Sequence, residues 1–295
     1  MIRVLDGLVL VLAGLVVSDL ALWWWRPEEV FLALLGAIAL RALLRPYSVP
    51  ALNPGRVVAA GVVAYALVFS FISVTRHRAF QTHALDLGYY VQVLWSLSRG
   101  LGPYVSLPEM HAWGDHFSPT LYLLVPLFAL FPDPVALLIV QSAVFALGAL
   151  PVFALARRRL ESDGPAAAFA LLYLLSPTLH GINIRDFHIA AFAIPLLLTV
   201  VYCFETGRRG WFLVAVILTL GCREDAALGV FGLGLWIALA RRRWIWGAGL
   251  TAASLALLFF DTQVLMPYFR SAPYPHLWRY AHRSEERRVG KECRL

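Results

Sequence analysis

An all-α, polytopic transmembrane helix bundle is the fold class this sequence predicts, and three observations predict it. Its residues are 60% apolar and 15% charged, where a soluble domain is about half apolar and about a quarter charged. Mean hydropathy is +0.71. Apolar runs approaching a bilayer crossing, about 20 residues for a helix, recur along the chain and leave no stretch for a sizeable water-soluble domain. A soluble enzyme, a secreted disulfide scaffold and a nucleic-acid-binding module are excluded as readings of the bulk, and membrane lipid is the expected surroundings.

Taken in order, the candidate spans are Leu5 to Trp25, Val30 to Leu44, Val57 to Val74, Val135 to Ala156, Ala166 to His180, Phe187 to Phe204, Trp211 to Cys222, Ala226 to Ala240 and Trp244 to Phe260. Ser18, Asp19 and Trp23 to Trp25 make no small-residue cleavage site, so the first run reads as an anchor rather than a removed signal. Asp19 and Arg41, near span ends, are expected to snorkel. Residues 1–56 read as two extra N-terminal spans and 57–282 as the main transmembrane domain. Through His282 the chain holds 20 Arg and no Lys, against 15 Asp plus Glu, for a net charge of +5. Residues 283–295 break from this with the only lysine, Lys291, and resemble the translation of a sequencing adapter. They are set aside, and the main domain is expected to be truncated at its C-terminus. Cys203 and Cys222 lack the spacing of a zinc or redox motif.

Orientation follows from arginine, which stays cytoplasmic in short loops. Arg157 to Arg159, Arg208 with Arg209, and Arg241 to Arg243 mark three inner loops; Arg45 and Arg56 join them, and the N-terminus is then inside. The parity closes only if Thr120 to Phe131, an apolar run of 12 residues between Pro119 and Pro132, does not cross. That length suits a re-entrant or interfacial helix. All eight histidines (77, 83, 111, 116, 180, 188, 276 and 282) then fall on the outer side, with Asp86, Asp115, Asp186, Glu224, Asp225 and Asp261. Titratable groups converging on one membrane face mark a candidate site.

The first outer loop, 75–119, carries the richest pattern. Apolar residues at 87, 91 and 94 and at 90, 93 and 97 give helical spacing, and Gly100 stands where the helix should stop. It reads as an amphipathic helix lying on the membrane, with Asp86 at its start as either an N-cap or a functional acid. The loop ends in Gly114-Asp115-His116-Phe117-Ser118-Pro119, an adjacent acid and imidazole able to bind a cation, orient a proton carrier or hold a turn. The turn around Arg185-Asp186-Phe187-His188 repeats the mixture, and Asp186 there is equally a cap for the following span. Arg223-Glu224-Asp225 puts three charges at a bilayer edge, where they need water, a partner or a ligand. Asp225 capping the next helix, with Arg223 paired to an acid, is the alternative.

Four segments, Leu85-Asp86-Leu87-Gly88 continuing to Gln92, Leu94 and Trp95; Asp115 to Pro119; Asp186 to His188; and Arg223 to Asp225, stand in the order seen in a family of multi-pass bacterial membrane proteins labelled a domain of unknown function. The chain resembles that family over roughly residues 65–270, with Leu85 for its usual Phe and Arg223 for its usual Lys. The family is similar, more distantly, to GT-C glycosyltransferases, which take sugars from polyprenyl-phosphate donors and keep an acidic residue of the first outer loop at the catalytic centre. Asp86 occupies that place. What the resemblance implies is sugar transfer at the outer membrane face with Asp86 at its centre, and the carry-over stops there; on their residue types Asp186, His188, Asp115 and His116 join it as catalytic candidates. Gln92, Arg185, Arg223, Glu224 and Asp225 would bind substrate. Metal use is left open: the candidate ligands of a divalent cation are Asp86, His116, Asp186 and His188, and Arg223 or Arg185 is the alternative source of positive charge for the phosphate. Inverting transfer needs a carboxylate base and positive charge on the leaving phosphate, and these residue types supply both. A transporter or flippase of a lipid-linked or anionic substrate, and a noncatalytic membrane component binding a partner, are the competing readings.

Overall fold

The computed structural model describes residues 2–22, 27–44, 52–107 and 109–272. Trp23 to Trp25, Arg45, His276, His282, the 283–295 tail and the Asp19 side chain, all invoked above, lie outside what is described. The chain divides into two compact units, residues 1–52 and 53–295.

The first unit is a helical hairpin, α1 (Ile2–Leu22) and α2 (Pro27–Leu44). Asp6 near the start of α1 meets Arg41 near the end of α2, with Nε to Oδ1 at 2.6 Å, so the two helices run antiparallel. Arg41 is buried and does not snorkel as expected. A partner carboxylate inside the hairpin satisfies it more cheaply than stretching to the interface.

The second unit is an all-α bundle with one short hairpin. Four of its helical segments are long and apolar enough to cross a membrane: Pro54–Arg78, Pro134–Leu160, Asp163–Arg185 and Trp244–Arg270. The first is α3, started by Pro54 and by the Asn53 side chain, which accepts from the Arg56 N–H at 3.1 Å. Val63, Leu67 and Phe71 form an exposed apolar stripe on α3, while Val58, Tyr65 and Ser73 on its other flank are buried. That is the division a helix between protein and lipid should have. After α3 come α4 (Ala84–Ser98), the antiparallel strands β1 (Tyr104–Ser106) and β2 (Glu109–His111), a 3-10 segment Pro119–Leu124 and α5 (Val125–Leu130). The second long segment bends between α6 (Pro134–Leu147) and α7 (Ala149–Leu160), and the third between α8 (Asp163–Leu174) and α9 (Pro177–Arg185). Shorter helices follow, α10 (Ala193–Glu205), α11 (Arg209–Leu220) and α12 (Ala226–Leu239). The fourth long segment is α13 (Trp244–Phe260), a π-helical stretch Asp261–Leu265 and α14 (Met266–Arg270), so it runs ten residues past the apolar run that ends at Phe260.

Two ends of this bundle differ in charge. At one, Glu205 after α10 pairs with Arg159 of α7 at 3.0 Å and with Arg241 after α12. At the other, residues 83, 115–116, 186–188, 223–225 and 261–270 are joined by the contacts described below. Helices α10 and α12 each connect one end to the other, so the arginine clusters at the end of α7 and after α10 and α12 lie away from His83, His116 and His188, as the spans predict. Segment Pro119–Leu130 starts at the acidic end, where Thr120 donates its N–H to the Gly221 carbonyl at 2.8 Å. It returns there, because Asp133 lines a cavity with Arg78 and His83. It does not cross, as its length predicted.

One correction concerns α4. Leu87, Tyr90, Val93 and Leu94 are buried with Val105, Leu121, Phe128 and Phe187 in a protein core. The apolar stripe therefore faces α5, β1 and α6 rather than a lipid surface. Periodicity shows that a face is covered, not what covers it. Gly100, at φ 71°, lies just beyond the α4 C-cap Arg99, where the pattern placed the stop.

Helices α12 and α13 pack at backbone distance. A Cβ placed on Gly247 would lie 2.4 Å from the Ala238 nitrogen and 2.7 Å from its Cα. Those are backbone atoms that cannot swing aside, so Gly247→Val should separate the helices and lower stability by about 1–3 kcal/mol, measurable as a lower thermal unfolding midpoint in detergent. An unchanged midpoint would show that this contact is loose.

Candidate functional site

The acidic end is built from two groups of side chains flanking Tyr89 and Tyr90 of α4. In the first, Asp86 sits in the first turn of α4, with His83 as the N-cap residue. It is not itself the cap. A carboxylate there is favoured by the N-terminal dipole. The cap function passes to Asp186, whose Oδ2 accepts the His83 N–H at 3.1 Å across 103 residues. Asp186 is the C-cap of α9 and begins nothing in the following span, contrary to its alternative reading as a cap there.

One buried glutamine fixes the turn that follows. Gln141 of α6 donates through Nε2 to the Asp186 carbonyl at 2.8 Å and accepts the His188 N–H through Oε1 at 2.8 Å. It thereby clamps both ends of Asp186-Phe187-His188. Asn183, itself buried, is within reach of the Ser142 hydroxyl at 3.2 Å and extends the polar network along α6. Phe187 is fully buried, edge-on to Tyr90 at 5.2 Å between centroids. His188 is left with Nδ1 3.3 Å from the Asp186 carbonyl oxygen and Nε2 3.9 Å from Asp86 Oδ2. An Nδ1–H donated to that carbonyl turns Nε2 toward Asp86. The Asp86 side chain is 49% exposed, so this acid and imidazole meet at an open position.

Asp186 is 1% exposed, and its Oδ1 has no hydrogen-bond partner among the described residues. Burial raises its pKa above the ordinary carboxylate value; the His83 N–H pulls it back and the charge of Asp86 pushes it further up. A carboxyl whose folded-state pKa is raised binds its proton more tightly folded than unfolded. Its stabilising contribution is present at acid pH and is lost as pH rises through the folded value. Asp186→Asn keeps an oxygen for His83 and removes the buried charge. It should unfold at a higher temperature than the wild type at neutral pH, with the gap closing toward acid pH. A lower midpoint at neutral pH would mean that the carboxylate is held by attraction instead.

The second group starts at Gly114, where a Cβ would lie 3.1 Å from the Arg270 backbone nitrogen. That close approach brings Asp115 Oδ1 to 4.0 Å from the Arg270 guanidinium. Next to it, His116 Nδ1 is 2.9 Å from Oε1 of Glu224, which is 2% exposed. Arg223 grips Asp225 with Nε at 2.7 Å and with its terminal nitrogen, the pairing foreseen as the alternative to a site. Burial opposes ionisation of Asp225, but the Arg223 hydrogen bond and charge win and hold its pKa down. Asp225 precedes α12 without capping it through its side chain.

Tyr89 and Tyr90 stand between the groups. Burial raises both phenol pKa values. Arg223 partly offsets this at Tyr90, where Asp115, Asp86 and Glu224 add to it; at Tyr89 Asp115, Tyr90 and Glu224 act in the same upward direction. Both stay neutral, and one ring lies within electrostatic reach of Asp86, Asp115, Arg223 and Glu224. The expected residues are thus gathered at one end with two exceptions. Gln92 turns away, accepting the Ser106 N–H at 3.0 Å to fasten α4 to the hairpin. Arg185 is exposed at the end of α9. Among the described residues no three His, Cys, Asp or Glu side chains group as a metal site. The four expected donors divide, Asp86, Asp186 and His188 in the first group and His116 with Glu224 in the second.

Sequence reasoning missed Gln141, Asn183, Tyr90 and the burial of Asp261. The signal for Gln141 was a polar amide inside an apolar span, whereas Asn183 lay in the turn between two predicted spans. Asp261 is 1% exposed in the π-helical stretch, and neither carboxylate oxygen has a hydrogen-bond partner among the described residues. Nothing in a linear pattern marks a π turn.

Neither the curated proteins nor the solved structures contain a match to this chain. Residues 76–284, well over half of the chain and including every residue of both groups, match the family described as "Predicted membrane protein (DUF2079)". The helical architecture, the membrane-crossing segments and this match agree, and the chain belongs to that family of membrane proteins.

Proposed function

We propose that the protein is a membrane glycosyltransferase that moves a sugar from a polyprenyl-phosphate donor to an acceptor hydroxyl. Its acidic end faces the extracytoplasmic side, and its arginine end and N-terminus face the cytoplasm. One observation carries the reading: the half-exposed Asp86 carboxylate faces His188 at 3.9 Å, and its chain neighbours His83, Leu87 and Gly88 line a cavity of about 640 Å³. That cavity is lined by Arg78, Asp133 and the imidazoles of His77 and His83 together with Leu87, Val91 and Val135, so a guanidinium and polar donors stand next to apolar wall. A lipid phosphate with its chain asks for that combination.

In this mechanism Asp86 takes the proton of the acceptor hydroxyl as the oxygen attacks the anomeric carbon. The bond from that carbon to the phosphate oxygen breaks, and the phosphate leaves with the electron pair. His188 positions Asp86. Arg78 offers the leaving phosphate its charge, with the imidazoles of His77 and His83 alongside it, in preference to Arg223, whose fork Asp225 already occupies. The donors, divided between the two groups, do not fit a divalent cation held by the protein. The test is a screen of polyprenyl-phosphate sugars in membranes holding the wild type or Asp86→Asn. A wild type inactive on every such donor would overturn the reading.

A second reading, transport of a lipid-linked or anionic substrate, is favoured by Asp261, a buried acid on a π-helical break within a spanning segment. Interrupted helices carrying charge are what transporters use. Flux into proteoliposomes without a covalent product would select it.

A further inference from the structure

At the opposite end of the second unit the helices enclose a cavity of about 360 Å³, within the range of about 300–1,000 Å³ typical of small-ligand sites. Its walls come from three places: Cys203, Phe204 and Glu205 at the end of α10 with Gly207 just beyond, Arg209 and Phe212 at the start of α11, and Arg241 and Arg243 before α13 with Trp246 in its first turn. The charges do not balance. Three lining arginines stand against one lining acid, Glu205, and Glu205 is already shared by Arg241 and by Arg159 from α7. Among the described residues no carboxylate pairs with Arg209 or Arg243.

The aromatic groups stiffen what remains. The Arg209 guanidinium lies 6.0 Å from the centroid of Trp246 and that of Arg241 4.9 Å from Trp236, so an indole orients each of these two, while Arg209 and Arg243 are exposed and present their donors at the cavity mouth. Planar guanidiniums with free donors recognise the oxygens of a phosphate. A basic pocket between spanning helices at the arginine-rich end is where an anionic headgroup meets a bilayer surface.

We propose that this cavity is a phosphate-binding site, with Arg209 and Arg243 as the ligating forks, Arg241 held in the wall by Glu205, and Trp246 as the platform. Its ligand is a phosphate group, carried either by an anionic phospholipid or by a soluble phosphate. The site is independent of the Asp86 reaction, and its failure leaves that reading untouched.

The test uses the full chain purified in detergent, with native mass spectrometry of bound dioleoylphosphatidylglycerol, dioleoylphosphatidylcholine and inorganic phosphate. Wild type should retain the phosphatidylglycerol over the phosphatidylcholine, and each of Arg209→Gln and Arg243→Gln should lower that retention about fivefold. Arg99→Gln, an exposed arginine over Trp95, should not change it. Retention of phosphatidylglycerol that inorganic phosphate does not displace supports the lipid as source. Binding of inorganic phosphate that excludes the lipid supports the soluble source. If either glutamine variant fails to fold, Arg209→Lys with Arg243→Lys keeps the charge, and weakened retention in it assigns the forks. Equal retention of both lipids without phosphate binding, or variants that bind as the wild type does, would overturn the site.

Discussion

Asp86→Asn should reduce sugar transfer from a polyprenyl-phosphate donor by about 10²–10⁴-fold while the protein stays inserted and folded. The two effects separate because of where Asp86 stands. Its side chain is half exposed and the His188 imidazole is 3.9 Å away. Removing the charge from the first turn of α4 forfeits only the interaction with the helix dipole, about 0.3–1 kcal/mol. Asn is close in size and accepts the same contacts, but it cannot take a proton. The measurement is product formation in membranes, read beside the thermal midpoint of the purified variant. Transfer within a factor of a few of wild type would remove Asp86 from the chemistry. A collapse of stability would make Asp86 a structural acid instead.

Gln141→Leu should cost about 2–4 kcal/mol of stability, because two buried backbone groups lose their partner at once. Leucine fills nearly the same volume but leaves the Asp186 carbonyl and the His188 N–H without the amide that joins them. The cost is local in origin and should be functional in effect, since the freed turn no longer holds Nε2 of His188 toward Asp86. Gln141 is a positioning residue, and the distinguishing readout is transfer measured at a temperature where the variant is still folded. A pH profile displaced from that of the wild type supports positioning, whereas an unaltered profile with normal turnover leaves Gln141 a purely structural clamp. Gln141→Glu is the conservative comparison, because its oxygens can still accept from His188 although it loses the donor to Asp186.

How much of this was legible varies by physical cause. The spans could be read because hydropathy over some twenty residues is all a bilayer asks for. The gathering of Asp86, Asp115, His116, Asp186, His188 and Glu224 at one end followed from arginine bias and parity, which need no tertiary information. Pairing was not legible. His116 finds Glu224 across 108 residues, and Asp186 caps a helix 103 residues away from it in the chain. Only packing decides such partners. Gln92 illustrates the same limit, since a polar residue on an amphipathic helix looks equally suited to a substrate and to the hairpin it holds. The α4 stripe was seen correctly as covered and assigned to the wrong neighbour, because lipid and protein interior select the same side chains. The π-helical stretch at Asp261 leaves no trace in composition at all.

The Asp6–Arg41 bond within the N-terminal hairpin bears on how the chain enters its membrane. Released singly into hydrocarbon, each helix would leave its member of this pair, near a helix end, without the opposite charge. Released together, they present a closed pair. Biogenesis should therefore hold the first helix in the insertion machinery until the second has been synthesised, making the two a single unit of delivery.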